Sequence, residues 1–221
     1  MKKIFSMLLI VALVFTAVSV KAQFKIGAKA GYTMSQYQTD DLLKDDMGIK
    51  PGYTFGTMVD IKLAPFFHFQ PEFTYYQKGA TYKGTTLDLA GLKVDYLSKT
   101  TVNYLHIPLN LKFNIPVIPV YLIAGPYVSY GLSSTYYNKT GIFPEENTTL
   151  AFSYKDNSSD IRPFDFGLNF GTGYKKDLIL DLVTVFVEAR FDVGLLDNNN
   201  SESTFAKNRN VGINAGVLFG L

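Results

Sequence analysis

An all-β fold, an eight-stranded antiparallel up-and-down transmembrane β-barrel with short periplasmic turns and long extracellular loops, is predicted by three features of the sequence. Long segments alternate apolar and polar residues with a period of two. The connections between them alternate short and long. No apolar run beyond the first twenty residues approaches the ~20 residues a spanning helix needs. Any crossing must then be made by strands, and strands in hydrocarbon must close on themselves to satisfy their backbone groups.

The pattern is cleanest in Thr101–Asn114, TVNYLHIPLNLKFN. Leu105, Ile107, Leu109, Leu111 and Phe113 share one phase, and Tyr104, His106, Asn110 and Lys112 the other. This stretch is too long and too evenly alternating for the usual edge strand of a small soluble sheet. Its successor, VYLIAGPYVSYGL from Val120, follows the short proline-rich turn Ile115–Pro119.

The chain opens on MKKIFSMLLIVALVFTAVSVKA, with a charged start, an apolar middle and a small-residue end at Val20-Lys21-Ala22. It reads as a secretory signal peptide over residues 1–22, leaving residues 23–221 as one barrel domain. An N-terminal anchor is the competing reading, but a strand pattern begins at Phe24 without a linker. There is no cysteine, which rules out a lipoprotein anchor, disulfides and thiol chemistry. Three of the 21 Lys and Arg residues lie in the leader, so the mature chain carries net charge −1 against its 19 acidic residues. No basic cluster points to nucleic acid.

The first strand runs from Phe24 to about Tyr37, with Ile26, Ala28, Ala30 and Tyr32 on one phase and Lys25, Lys29 and Thr33 on the other. A charged loop at Thr39–Lys50 leads to the second strand, Gly52–Leu63, where Tyr53, Phe55, Val59 and Ile61 oppose Met58, Asp60 and Lys62. After the tight turn Ala64-Pro65-Phe66, the third strand, Phe67–Tyr82, sets Phe67, Phe69 and Phe73 against His68, Gln70, Glu72 and Lys78. Lys83–Lys99 reads as a longer loop before the fourth strand, and the fifth reaches about Tyr136. The polar stretch Tyr137–Asp160 is the longest loop. The sixth strand, Ile161–Tyr174, alternates Phe164, Phe166, Leu168 and Phe170 with Asp165, Asn169 and glycines, and Lys175-Lys176-Asp177 reads as a turn. The seventh, Ile179–Leu195, opposes Val183, Val185, Val187 and Phe191 to Glu188, Arg190 and Asp192. After the loop Leu196–Asn208 the eighth, Arg209–Leu221, opposes Val211, Ile213 and Val217 to Asn210 and Asn214. Prolines 71, 108, 126 and 163 inside strands read as bulges or strand-end irregularities.

Alternation alone leaves a choice between a membrane barrel and a secreted soluble carrier of the lipocalin type, whose apolar phase would line a ligand cavity. The polar phase is rich in Gly, Asn and Thr where a water-facing sheet carries many Lys and Glu. Phe and Tyr gather towards the ends of the apolar phase, as aromatic girdles do, and the two ends differ in loop length. All three favour the membrane barrel, placed in the outer membrane against its lipid. Its lumen would then hold Lys29, Asp60, Lys62, Glu72, Lys78, Lys112, Asp165, Glu188, Arg190 and Asp192. Eight strands leave room only for side chains, so these charges are expected to pair and plug the interior as a structural network.

Catalytic patterns are sparse. His68 and His106 fall too far apart along the strands for a shared metal, and no metal or other cofactor is expected. A Ser-His-acid lipid hydrolase would need His106 beside a lumenal serine, with Ser129 the in-phase candidate, but no G-x-S-x-G occurs. Asp165-Phe166-Gly167 imitates a kinase motif without its companions. Asp156–Asp160 and Asp197–Glu202 lack the full spacing of a calcium loop. The sequons at Asn138, Asn147, Asn157 and Asn199 mark exposed loops.

The strings YLHIPLNLKF, YLIAGPYVSYGL, DFGLNFGTGY and KNRNVGINAGVLFG together resemble the PorT-like outer-membrane β-barrel family, over essentially the whole chain from Phe24 to Leu221. The resemblance implies a small barrel, and its namesake's role implies an accessory to protein secretion. Such barrels commonly end on an aromatic residue read by the barrel assembly machinery; here Phe219 stands two before Leu221 in the same phase. The reading that emerges is a non-enzymatic structural or surface-binding barrel, or an accessory to envelope assembly or secretion. The loops 83–99 and 137–160 are where a protein partner would be met.

Overall fold

A period-two pattern puts every other side chain on the same face of a sheet. In a computed structural model the whole chain uses that property to make one closed surface. The structure describes residues 24–38, 47–87, 93–140, 146–151, 162–179, 182–197 and 207–220. The leader and the acidic segment 156–160 lie outside them, as does most of 197–202.

Ten strands form: β1 (Phe24–Gln38), β2 (Met47–Gly48), β3 (Lys50–Lys62), β4 (Phe67–Leu87), β5 (Lys93–Asn114), β6 (Val120–Thr140), β7 (Glu146–Ala151), β8 (Phe164–Ile179), β9 (Val183–Gly194) and β10 (Lys207–Gly220). Eight of them close an antiparallel ring in the order β1-β3-β4-β5-β6-β8-β9-β10, β10 returning to β1. Each wall strand thus neighbours its sequence neighbours, the up-and-down plan predicted. The short β2 and β7 are additions at the loop end: β2 continues the line of β3 along β4, and β7 continues the line of β8 along β6.

The phases divide as expected. Ile26, Tyr53, Phe55, Phe73, Leu111, Val187 and Ile213 face outward and are exposed, while Lys29, Asp60, Glu72, Lys112, Asp165 and Glu188 face the lumen and are buried. Glycines on the inward phase make room for large neighbours. A Cβ on Gly173 would stand 2.4 Å from the Tyr121 hydroxyl, one on Gly171 2.7 Å from Arg190 Cδ, and one on Gly216 2.4 Å from the Phe186 ring. The glycine-rich polar phase is therefore what lets rings and a guanidinium lie across a narrow barrel.

Three expectations are corrected. Lys83–Lys99 is for the most part strand, because β4 and β5 continue as a paired ladder to Leu87↔Lys93, and the expected loop Tyr137–Asp160 likewise holds the end of β6 and the paired strand β7. Lys175, Lys176 and Asp177 lie within β8, paired with Phe186, Val185 and Thr184, and the chain turns only after Ile179. Finally, the wall prolines make no bulges. Register is the same on both sides of Pro71 (Met58↔Glu72 and Ile61↔Phe69), of Pro108 (Pro71↔Leu109 and Thr74↔His106) and of Pro126 (Pro108↔Tyr127 and Leu111↔Ala124). A missing N–H removes one ladder bond without inserting a residue, so the strand does not slip. The register shift in β5–β6 falls elsewhere, between Asn103 and Tyr104, and Pro163 precedes β8.

Within β4, Gly79 has a φ of 148°, a conformation that side chains disfavour, while the ladder with β5 continues through it. Beyond it the strands run on: β4, β5 and β6 hold 21, 22 and 21 residues, against 15, 12 and 14 in β1, β9 and β10. A membrane crossing takes ~9–11 residues of tilted strand. On this side of the barrel about half of each strand therefore stands clear of the hydrocarbon, as a sheet of β4, β5, β6 and β7.

The β5–β6 turn places Pro116 before Val117, which has φ 74°. A β-branched residue there is strained by ~1–3 kcal/mol. Val117→Gly should raise unfolding stability by about 1 kcal/mol, after allowing for the greater freedom of glycine in the unfolded chain. Urea titration of the folded barrel in detergent micelles checks it; a lower midpoint would show the turn to be unstrained.

Candidate functional site

The lumen is where buried chemistry collects, and it is ordered in tiers by distance from the turn end. Lowest, Lys25 on β1 reaches Asp177 on β8 at 3.5 Å and Thr184 on β9 at 2.9 Å. On the adjacent strand β3, Asp60, the ladder partner of Lys25, takes Lys112 at 2.6 Å and also pairs with His68. Lys62 shares this inward phase but sits half-exposed at the rim. Between these pairs and the centre lies an apolar plug of Met58, Tyr121, Ile123, Phe186 and Leu218. The sequence reading put Met58 on this inward phase but named only charged groups as the contents of the lumen. The signal that points to the plug is Phe186 and Leu218 standing on the otherwise polar phases of β9 and β10.

At the centre two cations and two anions close a ring. Lys29 lies 2.5 Å from Glu72 and 3.0 Å from Glu188; Arg190 lies 2.7 Å from Glu72 and 2.9 Å from Glu188. The four come from β1, β4 and β9, strands that are distant in sequence but converge because each residue sits on the inward phase. The polar neighbours donate and accept around them. Gln70 and Asn110 donate to Glu72 at 2.8 and 3.0 Å, Tyr121 donates to Glu188 at 2.9 Å, and Arg190 donates to Asn169 at 3.1 Å. Gln70 also accepts from Lys112 at 3.2 Å, linking this tier to the one below. A desolvated charge is tolerable only when paired and hydrogen-bonded, and here each has an opposite charge and most have further partners.

Toward the loop end, Lys78 binds Asp165 at 2.8 Å and stands over the ring of Tyr127 at 4.3 Å, with Tyr104 and Tyr76 further round it. This cage of three tyrosines was not foreseen. His106 Nδ1 and Ser129 Oγ lie 2.8 Å apart, so the pair considered from sequence does meet. Both are buried, at 3% and 0% exposure, and the imidazole is wedged between Tyr76 and Tyr127 at 4.8 and 4.7 Å. A nucleophile needs a path for its substrate, and here the imidazole is enclosed by two tyrosine rings. His68 and His106 are six residues apart along the β4–β5 ladder, about 20 Å, so they share no metal. Among the described residues no group of three or more His, Cys, Asp or Glu side chains could hold one.

Of the lumen charges named from sequence, Lys29, Glu72, Glu188 and Arg190 form one network, Asp60 and Lys112 a second, and Lys78 and Asp165 a third. Asp192 is buried on the inward phase with no ionic partner within 4.0 Å among the described residues.

Residues 19–200 match the family described as outer membrane protein beta-barrel domain. No curated protein sequence matches the chain. Among solved structures it is similar to Ail, the attachment invasion locus protein of Yersinia pestis. That match has 12% identity, 90% of this chain and 100% of that one covered, and a TM-score of 0.43. It is similar also to NspA, a neisserial surface protein, with 14% identity, 89% and 96% covered, and a TM-score of 0.39.

Removing one member of the central ring leaves a buried charge uncompensated, and Arg190→Met should cost about 3–5 kcal/mol of unfolding free energy. Adding Glu188→Gln to that variant should restore much of the loss, since it removes the charge left over. Urea unfolding in micelles distinguishes this from mere cavity formation, which the second substitution would not repair.

Proposed function

The chain belongs to the family of outer membrane protein beta-barrel domains, and on that premise we propose that it is a non-enzymatic surface protein of the outer membrane. Its lumen is a plug, and its working part is the sheet standing beyond the barrel rim. The observation that carries this reading is the asymmetry of the wall: strands of 21 and 22 residues on one side against 12 to 15 on the other. Strand length beyond the span of the membrane contributes nothing to crossing it, yet it holds β4, β5 and β6 in register well outside. A rigid sheet costs less to order on binding than free loops do. The described parts of the partner surface read from sequence as loops 83–99 and 137–160 belong, on this reading, to one sheet. Lys83, Leu97 and Lys139 form a single cross-strand row on it, with Lys99 over the Tyr137 ring beside them.

The short turns, the start of β1 and the end of β10 share one end, which the usual plan of such barrels puts in the periplasm, with residues 1–22 proposed as a cleaved signal. Membership among PorT-like barrels, and with it an accessory role in secretion, is the finer form of the same proposal, supported by the four strings of the sequence. Chemistry on lipid at His106 is the weaker alternative, because two tyrosine rings enclose the imidazole. His106→Ala is expected to leave lipid composition unchanged.

A photo-cross-linking residue at Lys83 or Lys139 should capture a partner on intact cells, while one at the lipid-facing Ile213 should not. No adduct from either surface position would overturn the binding role. In planar bilayers the protein should show no conductance steps of an open pore, and steady steps would overturn the plug.

A further inference from the structure

Polar atoms buried without a partner are rare in folded proteins, and each calls for something to satisfy it. Among the described residues the larger share of them lies in the loop-end half of the lumen. Asp192 Oδ2, Asp165 Oδ1, Asn208 Oδ1, both amide atoms of Asn210 and the Tyr104 hydroxyl all lack a hydrogen-bond partner. Their side chains are almost wholly buried, none more than 3% exposed. The wall brings them together. Asn210 on β10 pairs directly with Asp192 on β9, so the two inward side chains are neighbours. Asn208, the next inward residue on β10, donates to Asp165 on β8 at 2.8 Å, and Tyr104 on β5 faces Asn208 across the lumen.

The charge balance of this tier differs from that of the central one. Lys78 offsets Asp165 at 2.8 Å, but Asp192 has the Tyr76 hydroxyl beside it and no cation within 4.0 Å among the described residues. This tier therefore sets two carboxylates against the one ammonium of Lys78, and four carboxylate or amide oxygens in it have no donor. An unpaired buried charge costs several kcal/mol. A cation that prefers oxygen ligands removes both defects at once, whereas water supplies donors but no charge.

We propose that Asp192, Asp165, Asn208, Asn210 and Tyr104 form an internal site for a hard cation of the calcium class, completed by water. Calcium takes six to eight oxygen ligands in a flexible shell, and five oxygens from four strands fit such a shell better than the strict octahedron of magnesium. The cation would enter as the barrel closes and lock β5, β8, β9 and β10 at the loop end, as the ion-paired ring does at the centre.

The test uses the full mature chain, refolded in detergent micelles after removal of divalent ions, with the heat-dependent gel shift reading the unfolding midpoint. Calcium added during refolding should raise the midpoint of the native protein by several degrees, magnesium by less. Asp192→Asn should abolish the calcium increment. In calcium-free buffer the same variant should melt higher than the native protein, because it deletes the unbalanced charge. An equal calcium response in both proteins would place binding elsewhere, in the acidic loops, and overturn the site. No response in the native protein would mean water alone fills the space, and would overturn it too. Should Asp192→Asn fail to fold, terbium luminescence excited through tyrosine provides the second measurement. A signal from the native protein that Asn210→Ala removes supports the site; no signal, or one that Asn210→Ala leaves unchanged, overturns it.

Discussion

Hydrocarbon offers a peptide group nothing to bond with, and that constraint organises the molecule. Every wall strand must find two neighbours, so the sheet has to close; β10 returning to β1 is the bond that removes both edges. Closure with eight strands fixes a narrow interior. Once that width is set, the inward phase has no water to face. Its contents are then decided by volume and by charge pairing rather than by polarity alone.

The tiers of the lumen follow from this. Where opposite charges arrive at the same height they form a closed ring, as Lys29, Arg190, Glu72 and Glu188 do. Where the wall is crowded by large side chains, small residues must stand opposite, which is why glycines face Tyr121, Arg190 and Phe186. The ionic ring costs desolvation and is not the cheapest way to fill a barrel. It does fix the relative height of β1, β4 and β9. In a structure whose strands could otherwise slide in steps of two, that acts on register. The outward phase has no such demand, and its side chains need only be apolar.

At the loop end the same sheet meets a different solvent. β4, β5 and β6 continue beyond the apolar band without a break in pairing, and their composition changes to Lys, Tyr, Thr and Ser. Water can satisfy an edge there, so the ring no longer has to close. The extension accordingly appears on one side only, flanked by the short β7.

The alternation itself was enough to determine the fold class, the count of eight wall strands, the antiparallel order and the face on which each of Lys29, Asp60, Glu72, Lys112, Asp165, Glu188, Arg190 and Asp192 lies, because a period of two leaves a side chain only two directions. Strand ends were less legible. Lys83–Lys99 and Lys175–Asp177 have the charge of loops, yet the ladder runs through both, since a strand outside the membrane or at its rim can carry lysine without cost. Partnership was beyond the sequence altogether. Which acid meets which base depends on tilt and on the register between strands up to 159 residues apart, as Lys29 and Glu188 are. The contact of His106 with Ser129, the cage around Lys78 and the separation of Asp192 from the described cations by more than 4.0 Å are therefore decided by tertiary structure, because only closing the ring sets the heights at which the walls face one another.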